Sequence, residues 1–327
     1  MSATGKATPE FFMIVTLTLN PSLDLTVRLK QIDYKDINRV REIQKDPGGK
    51  GINISRIISR LGGKTRIFGF LGGYTGKKIK ELLDQEGVAN NFIRISGENR
   101  SNITIDLPEE SRQIKINEDG PRITGNEIEP LMDKLSDLSS RDFLIMSGSI
   151  PPGLPANLYA KIIGIMHRRG VRVALDADGE ALYQGLKAGP YLIKPNVYEA
   201  QRLLYRLTGR KIIISSEDSF IDAAATLGKC GAEIVIISWG PKGIVVVRKD
   251  KFWRSYPPLN LKYTGVGAGD AVVAGFVYAL SKNNSIEECI RWGIACGTAS
   301  ALQKGTRLCR AVDVRNLLRK VVVQQVC

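Results

Sequence analysis

An aspartate follows a run of small residues in Thr264-Gly265-Val266-Gly267-Ala268-Gly269-Asp270, and an apolar stretch from Ala271 to Leu280 begins directly after it. A glycine-rich loop leading into a buried helix lets backbone N–H groups converge on an anion, and the helix N-terminus adds partial positive charge. A phosphoryl group is the natural occupant. Taken alone, the same residues also read as a tight turn with an aspartate N-cap. An anion held beside a carboxylate makes sense only if the carboxylate binds metal or does chemistry. Accepting the proton of an attacking hydroxyl is that chemistry in phosphoryl transfer.

A second glycine cluster, Pro47-Gly48-Gly49-Lys50-Gly51-Ile52-Asn53, also joins flexible backbone to a helix start. It lacks Walker A spacing. The glycines permit close approach of a ligand, while Lys50 and Asn53 offer an ammonium and an amide to sugar or phosphate oxygens. A plain loop with a surface lysine is the alternative. Lys194-Pro195-Asn196-Val197-Tyr198-Glu199 follows an apolar strand, where ligands collect in open α/β sheets. Asn196 and Glu199 are spaced to orient waters around Mg²⁺, with Lys194 facing a phosphate. They are equally spaced for a capping box. Ser238 to Gly243 reads as a nucleotide-side loop or an ordinary turn. His167, the lone histidine, lies at a helix end and suits the C-terminal dipole rather than catalysis. Trp253 and Trp292 fit packing.

From Val15 onward, apolar runs of strand length alternate with segments of helical period, which predicts crossover βα units and an α/β fold with a mainly parallel sheet. Ile14 to Leu19, Phe143 to Met146, Val171 to Leu175, Tyr191 to Ile193 and Ile234 to Ile237 read as strands buried on both faces. Ile54, Ile57, Ile58 and Leu61 mark a helix ended by Gly62-Gly63, and Ser285 with Glu288 starts another. Asn102 to Leu107 and Gln113 to Ile116 instead alternate polar and apolar residues, as half-exposed antiparallel strands do. They predict a small β lid whose apolar face wants a partner, either substrate or the same lid of another subunit.

The chain has 327 residues, 43% of them hydrophobic, enough for one large α/β core or two modest ones. Residues 1–12 read as a tail or leader. No apolar run is long enough to span a membrane and no secretory signal is evident, so a cytoplasmic protein is expected. Five widely spaced cysteines without a C-x-x-C pair predict free thiols. A net charge of +14 attracts polyanions. The basic residues are dispersed and no nucleic-acid motif is present, which points to phosphorylated metabolites and nucleotides rather than nucleic acid.

Asn20-Pro21-Ser22-Leu23-Asp24, the GGKGIN loop Gly48 to Asn53, Ser147-Gly148-Ser149, Lys194 to Glu199 and the GVGAGD loop Gly265 to Asp270 occur in one order along the chain. Together they resemble the PfkB carbohydrate kinases of the ribokinase-like fold, and within them the branch of 1-phosphofructokinase and tagatose-6-phosphate kinase. The resemblance runs from Met13 to the final helices. It implies a three-layer α/β/α kinase domain over 13–327, with a lid from about 22–46 and 99–122. It implies Asp270 as catalytic base, and amides of Gly267, Ala268 and Gly269 as an anion hole. Asp24, Gly48, Gly49, Lys50, Asn53 and Ser149 would hold the sugar, with Arg100 and Arg39 on its phosphate. Lys194, Ser238, Gly240, Gly243 and Gly265 would face ATP, with Asn196 and Glu199 at Mg²⁺. The implied reaction converts a ketose monophosphate to a bisphosphate, foremost fructose 1-phosphate to fructose 1,6-bisphosphate. Tagatose 6-phosphate and fructose 6-phosphate are the alternative acceptors, and a non-catalytic sugar-phosphate sensor is a remote one. The family's paired lids imply a homodimer. The lid turn at Pro108, Glu109 and Glu110 matches no fixed family pattern.

Overall fold

The computed structural model describes residues 13–40, 42–110, 112–259, 267–303 and 305–326. In chain order the strands are β1 (Ile14–Thr18), β2 (Ser22–Arg28), β3 (Ile43–Gly48), β4 (Thr65–Leu71), β5 (Ile93–Arg94), β6 (Arg100–Leu107), β7 (Arg112–Asn117), β8 (Phe143–Ser147), β9 (Arg172–Asp176), β10 (Leu192–Ile193), β11 (Ile234–Ser238), β12 (Ile244–Arg248), β13 (Lys251–Ser255) and β14 (Val323–Val326). The helices are α1 (Lys50–Arg60), α2 (Gly73–Gln85), α3 (Gly125–Ser136), α4 (Leu158–Arg168), α5 (Gly179–Lys187), α6 (Val197–Thr208), α7 (Glu217–Gly228), α8 (Ala268–Leu280), α9 (Ile286–Ala301) and α10 (Ala311–Leu318).

One sheet has the order β14-β13-β12-β11-β10-β9-β8-β1-β4-β5. Its strands from β11 through β5 run parallel, and β12, β13 and β14 add antiparallel pairs at one edge. Alternate side chains of the central strands feed two separate cores. Leu17, Met146 and Leu175 pack with residues of α3 to α7 on one face, while Ile14, Ile145 and Ala174 pack with α1, α8, α9 and α10 on the other. Both faces are therefore covered, which is why these strands read as unbroken apolar runs. The expected helix signals act as predicted. Gly62 takes φ 83°, Gly63 N donates to Ile58 O at 2.9 Å, and the Ser285 hydroxyl accepts from Glu288 N at 3.3 Å.

The second sheet has the order β3-β2-β6-β7 and is built from the two segments expected to form the lid. β6 and β7 pair antiparallel, as their alternation predicts, whereas β2 and β6 pair in parallel. Two chain segments far apart in sequence therefore build one sheet, a pairing no local pattern encodes. The register puts Asp24 beside Asn102 and Asp46, so one face is polar. Leu25 lies beside Ile103, and Val27 beside Ile105 and Ile43, so the other is apolar. The inner part of the apolar face, at Leu23, shares a cluster with Ile79 and Leu83 of α2. Its outer part is uncovered, with Ile43 45% and Ile116 52% exposed.

No helix of the described residues is long and apolar enough to cross a membrane. Cys230, Cys289, Cys296 and Cys309 are free thiols, and Cys327 lies outside the described residues.

Candidate active site

Parallel strands share a direction, so their carboxyl ends open on one side of the sheet, where ligands gather. There β1 ends in Thr18, β8 in Ser147, β9 in Asp176 and β11 in Ser238, and Lys194 follows β10. A cleft of about 460 Å³ lies over these ends. Its walls include Lys50, Asp176, Lys194, Asn196, Glu199, Ser238, Gly240, Gly243 and the turn from Gly267 to Asp270.

The N-termini of α1 and α8 meet in this cleft. α8 starts behind Gly267, which adopts a left-handed φ of 76°, and no side chain caps it. Its first-turn amides are thus left to whatever enters the cleft. Asp270, in that first turn, is only 7% exposed, and its Oδ2 accepts from Asn53 Nδ2 at 2.9 Å. Asn53 sits in the first turn of α1, which leaves β3 through Gly49 at φ 114°. α1 can lie this close to β1 and β8 because position 51 is glycine: a Cβ there would stand 2.3 Å from Thr18 Oγ1 and 3.0 Å from Ser147 Oγ. The turn carries Lys50 inward, where its Nζ lies 3.1 Å from Asp176 Oδ1; Lys194 Nζ lies 3.4 Å from the same oxygen.

Burial pushes the Asp270 carboxyl up to about 6, and the Asp176 carboxylate adds to that push. Lys50, the Asn53 amide and Lys194 pull it back. Burial also raises Asp176, but Lys194 and Lys50 outweigh it and hold this carboxyl below its usual range. Desolvation works against the Lys50 ammonium, yet Asp176, Asp270 and Glu199 keep its pKa above that of an ordinary lysine. Two carboxyls of the cleft thus differ in character. Asp176 is firmly ionised between two cations, and Asp270 is poised to exchange a proton near neutral pH.

The other expected site residues fall into three groups. On the smaller sheet, Asp24 accepts from Ser22 Oγ at 2.7 Å and Asn102 Nδ2 at 3.0 Å, and burial raises its pKa against those bonds. Gly48 makes room for this carboxyl, since a Cβ there would stand 2.3 Å from its Cγ. Arg100 turns Nε and Nη2 to Asn20 O and Nη1 to Glu118 O, at 3.0 to 3.3 Å. Ser149 is exposed and accepts from Asn20 Nδ2 at 3.1 Å. At the far wall, Asn196 Oδ1 accepts from the amides of Tyr198 and Glu199, and Glu199 Oε2 accepts from Asn196 N at 2.8 Å. The capping box is therefore formed, and both side chains still border the cleft. Arg39 stands apart: it is exposed on a larger hollow of about 830 Å³ lined mainly by β2, β3 and the segment between them, which shares no residue with the cleft of Asp270. Size is a poor guide here, because the carboxyls of the larger hollow, Glu42 and Glu109, are exposed and no α-helix N-terminus among the described residues lines it. Gly265 lies outside the described residues.

The profile of the pfkB family carbohydrate kinases matches residues 17–312. The chain belongs to that family. As a pfkB carbohydrate kinase it is a phosphotransferase, and the family uses ATP. It is 36% identical to 1-phosphofructokinase of Borreliella burgdorferi, over 96% of this chain and 99% of the relative. It is 35% identical to tagatose-6-phosphate kinase of Staphylococcus epidermidis, over 90% and 94%. A crystal structure of phosphofructokinase-2 from Escherichia coli in complex with substrates and products superposes with a TM-score of 0.88 at 32% identity, covering 94% of this chain and 98% of that one.

Asp176 is a cleft residue that the motif reading missed. Its signal was present, an aspartate closing the buried run Val173 to Leu175, but a polar strand end is too common to single out. Buried polar atoms almost always find partners. Here Thr18 Oγ1, Asn20 Oδ1, Ser147 Oγ and Asp176 Oδ2, at the ends of β1, β8 and β9, have none among the described residues. Thr298 Oγ1, of a residue that borders the cleft, is also unpartnered. Of these atoms, Asp176 Oδ2 and Thr298 Oγ1 belong to residues that line the cleft, where a polar ligand would complete them.

Proposed function

We propose that the protein transfers the γ-phosphoryl group of ATP to a primary hydroxyl of a ketose monophosphate, foremost fructose 1-phosphate, giving fructose 1,6-bisphosphate. The observation that carries this reading is Asp270: a carboxyl with a pKa near 6, tethered through Oδ2 to Asn53, inside a helix N-terminus shaped for an anion. Oδ1 then takes the hydroxyl proton as the sugar oxygen bonds to phosphorus. The bridging O–P bond breaks and its electron pair leaves with ADP. Amides of Gly267, Ala268 and Gly269 hold oxygens of the group in transit, and Lys194, whose Nζ lies 3.4 Å from the Cβ position of Gly269, adds charge there. Asp24 and Lys50 orient the sugar. Arg100 spends three of its five N–H donors on carbonyls, which leaves two for the phosphate already on the substrate.

Among the described residues no three acidic, cysteine or histidine side chains form a metal cage. Mg²⁺ keeps most of its waters and binds through one or two carboxylates and the phosphates. The unpartnered Asp176 Oδ2 and the Glu199 carboxylate would hold it, with Asn196 reached through water. Bound there, the ion would neutralise charge on the nucleotide phosphates.

The preference for fructose 1-phosphate is supported by the relatives named 1-phosphofructokinase, at 36% and 34% identity. An ADP-release assay across fructose 1-phosphate, fructose 6-phosphate and tagatose 6-phosphate tests it. The first should show the highest kcat/KM; a higher value for either of the others would replace the assignment. The uncovered apolar face around Ile43 and Ile116 suits pairing of two lids into a homodimer.

A further inference from the structure

Among the described residues Lys115 is the one lid side chain that borders the cleft of Asp270. Register accounts for it. Lys115 lies opposite Thr104 on β6, Thr104 opposite Thr26 on β2, and the same polar face carries Asn102 and Asp24 two residues along. Its neighbours Ile114 and Ile116 lie opposite Ile105 and Ile103, on the apolar face. Lys115 is exposed, and no ion pair ties it to another described residue. Lys50 and Lys194 differ on this point, since both are committed to Asp176.

We propose that Lys115 contacts substrate during phosphoryl transfer, its ammonium meeting oxygens of the phosphoryl group in transit from the wall facing the Gly267–Gly269 amides. This rests on the kinase reading above. The moving group spreads negative charge over three equatorial oxygens, and a single helix N-terminus reaches only one side of it. The lysines on the sheet side already share their charge with a buried carboxylate. A lid cation with no ion pair among the described residues can answer the charge that develops on the other side. The proton still passes from the sugar hydroxyl to Asp270, and Lys115 keeps all of its own throughout.

The test compares Lys115→Met and Lys115→Arg with the wild-type enzyme in steady-state assays that vary ATP and the phosphosugar separately. Lys115→Met should lower kcat by about 30-fold or more while both KM values stay within about threefold. Lys115→Arg should recover to within about fivefold of wild type, because the charge is kept. Thermal melting checks the fold, and the exposed position predicts little change. A kcat within about twofold of wild type for Lys115→Met would overturn the proposal. So would a loss confined to the phosphosugar KM, which would put this lysine on the substrate's own phosphate. A wild-type enzyme that releases no ADP with any phosphosugar would overturn the kinase reading itself, a result distinguishable from either of these.

Discussion

Asp270 does its proposed work because it is buried, and burial has a measurable cost. Its carboxyl, ordinarily near 3.8, stands at about 6, raised first by desolvation and then by Asp176. Since the base must be ionised, kcat/KM should fall below about pH 6 along a one-proton limb, read from a pH-rate profile. The same displacement acts on stability with a definite sign. Below pH 3.8 both folded and unfolded chains hold this proton; as pH rises to about 6 only the folded state keeps it, and the stabilisation it gives is then lost. At neutral pH the ionised group therefore costs stability, on the order of 1–3 kcal/mol. Asp270→Asn should lower kcat by several powers of ten, about 10³ or more, yet melt at a higher temperature than wild type at pH 7.5, the two curves converging near pH 4. Equal melting at both values would show that the carboxyl is better solvated than its burial implies.

At the scale of elements, α1 and α8 must bring their N-termini together over the ends of β1, β8 and β9. α1 achieves this by lying against Thr18 and Ser147, a packing that leaves no room for a Cβ at position 51. Gly51→Ala should cost about 1–3 kcal/mol in urea unfolding and reduce kcat, because Lys50 and Asn53 ride on the displaced turn. Gly269→Ala is a useful contrast: its Cβ would meet only the far end of Lys194, at 3.4 Å, so stability should hardly change. If both substitutions unfolded alike, the close approach at Gly51 would not be what sets the position of α1.

Across the whole molecule, the lid presents one polar and one apolar face, and α2 covers only the inner part of the second. Lid pairing predicts a dimer in sedimentation velocity. Ile116→Asp, on the exposed edge strand β7, should shift it to monomer and raise the phosphosugar KM more than that for ATP, since the lid carries Asp24 and Arg100. A dimer that survives this change would be held by another surface.

Many residues of the candidate cleft were legible in the sequence itself. Glycines before Asp270 and around Lys50, and the polar residues that close apolar strands, have meaning in any α/β sheet, because backbone geometry and strand direction are local consequences of residue type. The alternation of β6 and β7 likewise exposed the lid hairpin and its two faces. What the chain did not declare are the meetings between distant segments: β2 pairing in parallel with β6, Asn53 holding Asp270, and Asp176 clasped by Lys50 and Lys194. The same limit hid the direction in which Arg100 spends its donors and the cleft that Lys115 borders. Charge, desolvation and hydrogen bonding depend on distance in space, and only the packed sheet sets those distances.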